Sequence, residues 1–150
     1  MATVTYNWKV GSINRRGLTS QEVEEAIFEA LAYYARTLMR KHFASGNSFR
    51  YGYKGLSPAY IKQKLKKYGL KPILVATGEL KEAVLSTWDI HRVGNRYAIS
   101  WSVPDHGVYH ITGLKDGTIR DWRKESQSEW SKIKDRIDRN LNVLRKGGSL

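Results

Sequence analysis

Residues 55–85, GLSPAYIKQKLKKYGLKPILVATGELKEAVL, decide how the middle of this chain folds, because they hold two helix starts around one helix end. Ser57 is suited to accept hydrogen bonds from the free N–H groups of a helix start. Pro58 is suited to the first helical position, where its missing N–H has no cost. Gly69 and Pro72 are typical of a helix end. The stretch therefore predicts a short basic helix that begins at Pro58 and ends before Gly69.

The second half of the same stretch predicts another helix after a short connection. Residues 73–76 are apolar and follow Pro72, so they are expected to link the two helices. Thr77 and Gly78 are typical of a helix start. The helical residues that follow are Glu79, Leu80, Ala83 and Val84.

Composition predicts one domain over residues 1–150. The chain has 150 residues, 41% of them hydrophobic, which is enough to bury a core of ordinary size. With no Cys, it has neither disulfides nor thiolate metal sites, and no stretch resembles a signal peptide or a membrane span. We expect a soluble protein made in the cytosol, with no contact to a membrane and with loose ends at 1–5 and 146–150.

The positive charge is concentrated in one segment. The formal net charge is +12, and no acidic residue occurs between Glu29 and Glu79. A field of this sign attracts a phosphate backbone or an acidic protein surface. A solvated face that only keeps the protein in solution is the alternative. The cations of this segment are Arg36, Arg40, Lys41, Arg50, Lys54, Lys62, Lys64, Lys66, Lys67 and Lys71.

A long amphipathic helix is predicted near the N-terminus. Thr19 and Glu22 have the spacing of a capping box, and apolar residues then recur at intervals of three and four. The helix is expected to run from about Ser20 to about Phe43, about 35 Å. Such a helix either projects a basic end toward a neighbouring subunit or lies across a sheet.

The second half of the chain predicts strands and a final helix. Alternating residues on both sides of Gly94-Asn95, from Thr87 to Val103, indicate a hairpin. Residues 107–112 are a candidate third strand, followed by a turn at 115–117. Ser126 and Glu129 then have capping-box spacing before a C-terminal helix. Its apolar positions are Trp130, Ile133, Ile137, Leu141 and Leu144.

Together these elements predict an α+β fold. Its small antiparallel sheet is a meander that packs against the long N-terminal helix and the C-terminal helix, with short helices in the basic middle segment.

Sequence motifs for catalysis are missing. There is no Walker loop, nucleophile elbow or dinucleotide fingerprint, so we expect no enzyme and no cofactor. His106 and His110 are four residues apart, but a turn leading into a strand would keep them too far apart to share a metal ion. A small nuclease using these two histidines is an alternative, which predicts metal-dependent cleavage that is lost in His106→Ala.

The loop before the basic helix interleaves aromatic residues with cations. Such residues could stack on bases and grip phosphates, or could anchor a protein interface. The candidate interface or nucleic-acid contacts are Arg50, Tyr51, Tyr53, Lys54, Lys62, Lys64, Lys66 and Lys67.

Residues 55–85, called the family-like block below, resemble part of the phage virion-morphogenesis proteins, the tail-completion or neck family. Members carry a similar pattern of L-S-P, an aromatic residue, a basic helix and P-L-V-x-T-G-x-L. Residues 109–113 and 119–122 depart from the family's His-Gln-x-Gly strand end and Pro-x-Arg-x-Phe turn. The order of the remaining elements also fits. The matching residues are Leu56, Ser57, Pro58, Ile73, Leu74, Val75, Thr77, Gly78 and Leu80.

The resemblance implies a structural protein of the virion neck, assembled in the host cytoplasm as a homomeric ring between the connector and the tail tube. Its partners would be further copies of itself and adjacent neck, connector, tail-terminator or tail-tube proteins. The basic residues would face an acidic neighbour or the genome DNA in the lumen. The alternative function is a free nucleic-acid-binding protein that uses residues 36–71.

Overall fold

The computed structural model describes residues 1–150 and confirms an α+β fold. Three strands form one antiparallel sheet, and six α-helices and one 3-10 helix surround it. In chain order the elements are β1 Ala2–Trp8, α1 Ser20–Arg36, the 3-10 helix Leu38–Phe43, α2 Asn47–Tyr51, α3 Pro58–Tyr68, α4 Glu79–Ser86, β2 Asp89–Val93, β3 Arg96–Val103, α5 Asp105–Thr112 and α6 Gln127–Arg145.

The sheet has the strand order β1-β3-β2, and both pairs are antiparallel. The predicted hairpin is confirmed, since β2 and β3 pair with Val93 opposite Arg96. β3 is the central strand, and most of its side chains are buried, including Trp101 and Val103. Along β1 the buried residues are Val4 and Trp8, which leaves the residues between them partly or fully exposed.

The prediction of a third strand at residues 107–112 is wrong, because these residues belong to α5. The third strand is β1, so the sheet is not a meander of consecutive strands. Residues 2–5, expected to be loose, lie in this strand. α5 packs close to its neighbours at Gly107, where an added Cβ would lie 2.6 Å from Leu80 Cδ1.

The first helix starts as predicted but ends earlier. Both hydrogen bonds of the capping box between Thr19 and Glu22 are present. The α-helix stops at Arg36, and the chain continues as the 3-10 helix. At about three residues per turn, Met39 and His42 fall on one face, and both are buried. Of the two alternatives for this end, the projecting one is wrong, because Leu38, Met39, His42 and Phe43 are buried in the core while the basic residues between them stay exposed.

Helices α1 and α6 pack against each other through apolar stripes and one polar cluster. Arg136 donates to both carboxylate oxygens of Glu29, with Nε 2.9 Å from Oε2 and Nη2 2.6 Å from Oε1. Asn140 donates to the same carboxylate and to the carbonyl of Ala26. Because the hydrogen bonds from Arg136 outweigh the effect of burial, the pKa of Glu29 lies below its ordinary value. The cluster fixes the register between the two longest helices.

The predicted helix signals of the middle segment are confirmed. Ser57 Oγ accepts from the N–H of Tyr60, Pro58 is the first residue of α3, and Gly69 follows its end. α4 begins after Gly78, whose φ of 86° lies in the region that favours glycine. No helix of the chain combines the length and apolar character needed to cross a bilayer.

Candidate functional site

A cleft of about 840 Å³ separates α3 from the rest of the domain. One side consists of residues 54–57 and the inner face of α3, and a second side consists of residues 73–80. α5 and the turn that follows it close the cleft. Residues that are far apart in the sequence thus meet around a single space.

The residues of the family-like block surround this cleft. Leu56 and Ser57 line one side, and Leu74, Thr77, Gly78 and Leu80 line the other. Pro58 does not line the cleft, since its place is the first turn of α3. In the fold, the block is therefore one structural unit.

The cleft wall includes a turn with unusual backbone geometry. The N–H of Val75 donates to the carbonyl of Pro72 at 3.1 Å, which closes a four-residue turn. Leu74 occupies the third position of this turn with φ of 73°, a left-handed conformation that a non-glycine residue adopts at a cost of about 1 kcal/mol or more. Asn47 Nδ2 donates to the carbonyl of Ile73 at 2.6 Å. The surrounding contacts hold the turn in this strained form.

Lys64 is the one buried residue of α3 and points toward the turn. Its Nζ donates to the carbonyl of Pro72 at 2.8 Å, and the side chain lines the cleft. Burial first, and then repulsion from Arg120, lower its pKa. The prediction grouped Lys64 with the exposed lysines of this helix, and the structure separates it from them.

Arg120 is a second buried cation in the cleft. Its Nε donates to the carbonyl of Lys54 at 2.8 Å, and its Nη2 donates to that of Gly55 at 3.2 Å. Its own N–H donates to the carbonyl of His110 at 2.7 Å. These bonds tie the loop before α3 to the end of α5, and burial lowers the pKa of Arg120.

His106 and His110 also line the cleft. Because α5 is a helix, the spacing of four makes them neighbours one turn apart on the same face, whereas in the predicted strand they would share a face but lie too far apart. His110 Nδ1 is buried without a hydrogen-bond partner, and burial and the nearby charge of Arg120 lower the pKa of His110 to about 4. No group of three or more His, Asp or Glu residues suits a metal ion.

A second polar cluster lies in the core beside the cleft. His42 Nε2 lies 3.0 Å from Glu129 Oε1, and Tyr51 donates to Glu129 Oε2 at 3.0 Å. Tyr53 contacts the other ring nitrogen of His42 at 3.4 Å. Burial would raise the pKa of Glu129, but the hydrogen bond and attraction from His42 outweigh it and keep that pKa below its usual value. This cluster fixes the end of α2, at Tyr51, and the loop that follows it, at Tyr53.

The predicted contact residues therefore fall into different environments. Tyr53 and Lys64 are buried, and Tyr51 is half-buried against His42. Lys54 and Lys64 line the cleft, whereas Arg50, Tyr51 and Tyr53 line a smaller hollow near the start of α6. The exposed members of the set are Arg50, Lys54, Lys62, Lys66 and Lys67.

Sequence reasoning missed the roles of Arg120, His42 and Glu129. Arg120 stands in a turn-rich stretch with no periodic pattern that would indicate burial. Glu129 was recognised only as a capping residue, which it is, with the Ser126 N–H donating to its Oε1 at 3.0 Å. Nothing in the spacing of His42 indicates its pairing with Glu129.

Comparison of the chain with protein-family models, with curated proteins and with solved structures finds no match.

Proposed function

We propose that this chain is a structural protein of the phage neck, active in tail completion or head-tail joining. Copies assemble as a homomeric ring between the connector and the tail tube, and adjacent neck, connector, tail-terminator or tail-tube proteins bind above and below. The protein acts by binding, not by catalysis, and becomes part of the virion in the host cytoplasm.

The observation that carries this proposal is the outward apolar face of α3. Ile61 and Leu65 are 50% and 54% exposed and do not line the cleft, although a helix of a globular domain normally turns such side chains toward the core. Lys64 faces inward in their place. A helix with its apolar side chains outside and a cation inside is suited to a partner that covers it.

Other exposed apolar side chains lie on the same basic segment. Phe49, which lies in α2, is 95% exposed. Leu70, two residues after the end of α3, is 92% exposed. Aromatic and arginine side chains are the residues most often found at the energetic centre of protein interfaces. The combination favours contact with protein subunits over a purely solvated surface.

The family-like block supports the choice of a neck protein among assembly proteins. Its residues form one structural unit around the cleft, and the outward face of α3 belongs to the same block. In a closed ring each subunit presents two different faces, and α3 is suited to one of them. The exposed lysines of α3 then face an acidic neighbour or the DNA in the lumen.

The test changes the apolar face of α3 without touching the core. The double substitution Ile61→Ser with Leu65→Ser should abolish head-tail joining, because it removes the contact area while the monomer keeps its fold. The control is Val93→Ser, which alters a 54% exposed apolar residue on the hairpin and should leave joining intact. Particle counts and infectivity are the measurement, with circular dichroism for folding. Normal joining by a folded α3 variant would contradict the proposal.

A free nucleic-acid-binding protein remains the second candidate, and the exposed cations of residues 36–71 favour it. Lys62, Lys66 and Lys67 are exposed on α3, and Lys54 is exposed at the start of the cleft. This candidate predicts binding to duplex DNA by the isolated protein, with an affinity that falls steeply as salt is raised. A titration at two salt concentrations decides between it and a protein-binding role.

A further inference from the structure

Two buried cations line the cleft without a counter-ion. Lys64 is 6% exposed and Arg120 is 5% exposed. Neither has a carboxylate oxygen within 4.0 Å, since all ion pairs of the chain involve other residues. Buried charges in proteins are normally paired, because removal from water is costly. The cleft therefore holds two cations with which no carboxylate of the chain forms an ion pair.

The carbonyl oxygens around these cations compensate only part of that cost. Lys64 makes one hydrogen bond and the side chain of Arg120 makes two, all to backbone carbonyls. An ammonium has three N–H donors and a guanidinium has five, so both side chains keep donors to spare. An anionic group that enters the cleft finds charge and donors already in position.

The carboxylates at the edge of the cleft do not take this role. Asp116 and Glu79 line it, but both are exposed to solvent. The carboxylate of Asp116 accepts from the N–H of Thr118 at 2.9 Å, which directs it to its own turn. Asp116 and Arg120 attract each other, but no carboxylate of the chain forms an ion pair with Arg120 or Lys64, so a closely bound counter-charge has to come from outside the chain.

We infer that the cleft receives an acidic side chain from a peptide segment of a partner protein, with Lys64 and Arg120 as the charges that bind it. Apolar side chains beside the carboxylate pack against Leu56, Leu74 and Leu114, which line the same space. The inference deepens the proposed function and rests on it for the partner, a neighbouring protein of the neck.

The shape and lining of the cleft favour a peptide over nucleic acid. A volume of about 840 Å³ is that of a pocket for a small ligand or a few side chains, and about half of its lining residues are apolar. Phosphate backbones are usually bound by exposed cations on open, wet surfaces. Lys64 and Arg120 are buried, whereas Lys62, Lys66 and Lys67 have the exposure that phosphate contacts need.

The experiment is an NMR titration of the isolated protein with two capped pentapeptides, Gly-Leu-Glu-Leu-Gly and its matched form Gly-Leu-Gln-Leu-Gly. The acidic peptide should bind about tenfold more tightly, because only it places a negative charge against the two cations. The shifted amide signals should be those of Lys64, His110 and Arg120. Equal affinity of the two peptides, no binding, or shifts elsewhere would overturn the inference.

Variants test the role of the buried charge. Lys64→Met should remove the preference for the acidic peptide, and Lys67→Met, which changes an exposed lysine of the same helix, should keep it. If Lys64→Met does not fold, Lys64→Gln takes its place, and the comparison of peptides on the unaltered protein still stands. A preference for the acidic peptide that persists without Lys64 would overturn the inference. It would also be overturned if a DNA duplex, and not the acidic peptide, shifted the amide signals of the cleft residues.

The outcomes separate this inference from the proposed function. Acidic-peptide binding by a chain that is missing from virions would leave the chemistry of the cleft intact and remove the neck role. If the chain is present at the neck but its cleft does not bind the acidic peptide, the neck role stands and the inference about the cleft fails.

Discussion

The imidazole of His42 and the carboxylate of Glu129 form a buried hydrogen-bonded pair, with Nε2 and Oε1 3.0 Å apart although the residues are 87 positions apart in the sequence. The pair joins the 3-10 helix to the first turn of α6. Tyr51 donates to the same carboxylate and stacks on the imidazole ring at 3.9 Å. The pair thus ties the 3-10 helix to α6 and holds the end of α2 against both.

Removing the charge of this pair should destabilise the fold. Glu129→Gln is expected to lower the free energy of unfolding by about 2–4 kcal/mol, because His42 and Tyr51 lose a buried charged acceptor. Glutamine can still serve in a capping box, so the change separates the loss of the buried carboxylate from the loss of the helix cap. Urea unfolding measures the loss, with Glu25→Gln on the exposed side of α1 as the control. A loss below about 0.5 kcal/mol, the usual size of a surface effect, would show that the pair adds little.

The protonation of His110 should make the fold sensitive to mild acid. Its pKa of about 4 in the fold lies below the ordinary 6.5, so the folded chain holds it neutral while the unfolded chain binds a proton. Stability is complete above about pH 6.5 and falls as the pH drops toward 4. Between about pH 7.5 and 5 the loss should be about 1–2 kcal/mol, allowing for the partial exposure of the ring.

His110→Gln tests the source of this pH dependence. The variant should show a smaller loss of stability than the unaltered protein across the same range, and His106→Gln, at an exposed position, should not. Urea midpoints at the two pH values are the measurement. Identical pH profiles for His110→Gln and the unaltered protein would assign the acid sensitivity to other groups.

The close approach of α5 to the core should make Gly107 intolerant of a side chain. A Cβ there would lie 2.6 Å from Leu80 Cδ1 and 3.2 Å from Val103 Cγ2. Gly107→Ala should therefore cost about 1–3 kcal/mol of unfolding free energy. Gly55→Ala is the matched control, because nothing lies within 4 Å of its added Cβ and its φ is not left-handed. Equal thermal stability of the two variants would mean that α5 can shift without cost.

Reversing the exposed charges of α3 should block assembly without unfolding the chain. The variant carries Lys62→Glu, Lys66→Glu and Lys67→Glu. Lys64 is kept, because a glutamate buried at that position would disturb the fold. Head-tail joining should be lost, while the unfolding free energy should stay within about 1 kcal/mol of the unaltered value. The control carries the same change of charge on exposed residues of α6, Lys132→Glu, Lys134→Glu and Arg139→Glu. Loss of joining in both variants would point to net charge as the cause.

Local signals made much of the fold predictable. The capping boxes at Thr19 and Ser126 and the serine-proline start of α3 depend on residues within one turn, so the sequence contains all that they need. The hairpin at Gly94 is local in the same way. The class of fold followed from the order of these elements.

Features that depend on distant partners were not predictable. β1 has alternating residues, but its place in the sheet depends on β3, about a hundred residues later. Residues 107–112 are short enough to suit either strand or helix, and the approach of Gly107 to Leu80 favours the helix. Lys64 looked like a member of a solvated lysine row, and only the position of the turn at Pro72 explains its burial.

The most direct test of the neck role is cryo-electron microscopy of virions assembled with this chain. We expect density for the chain as a closed ring at the head-tail junction, with α3 of each copy against a neighbouring subunit. Virions that contain no such ring and no copies of the chain would contradict it.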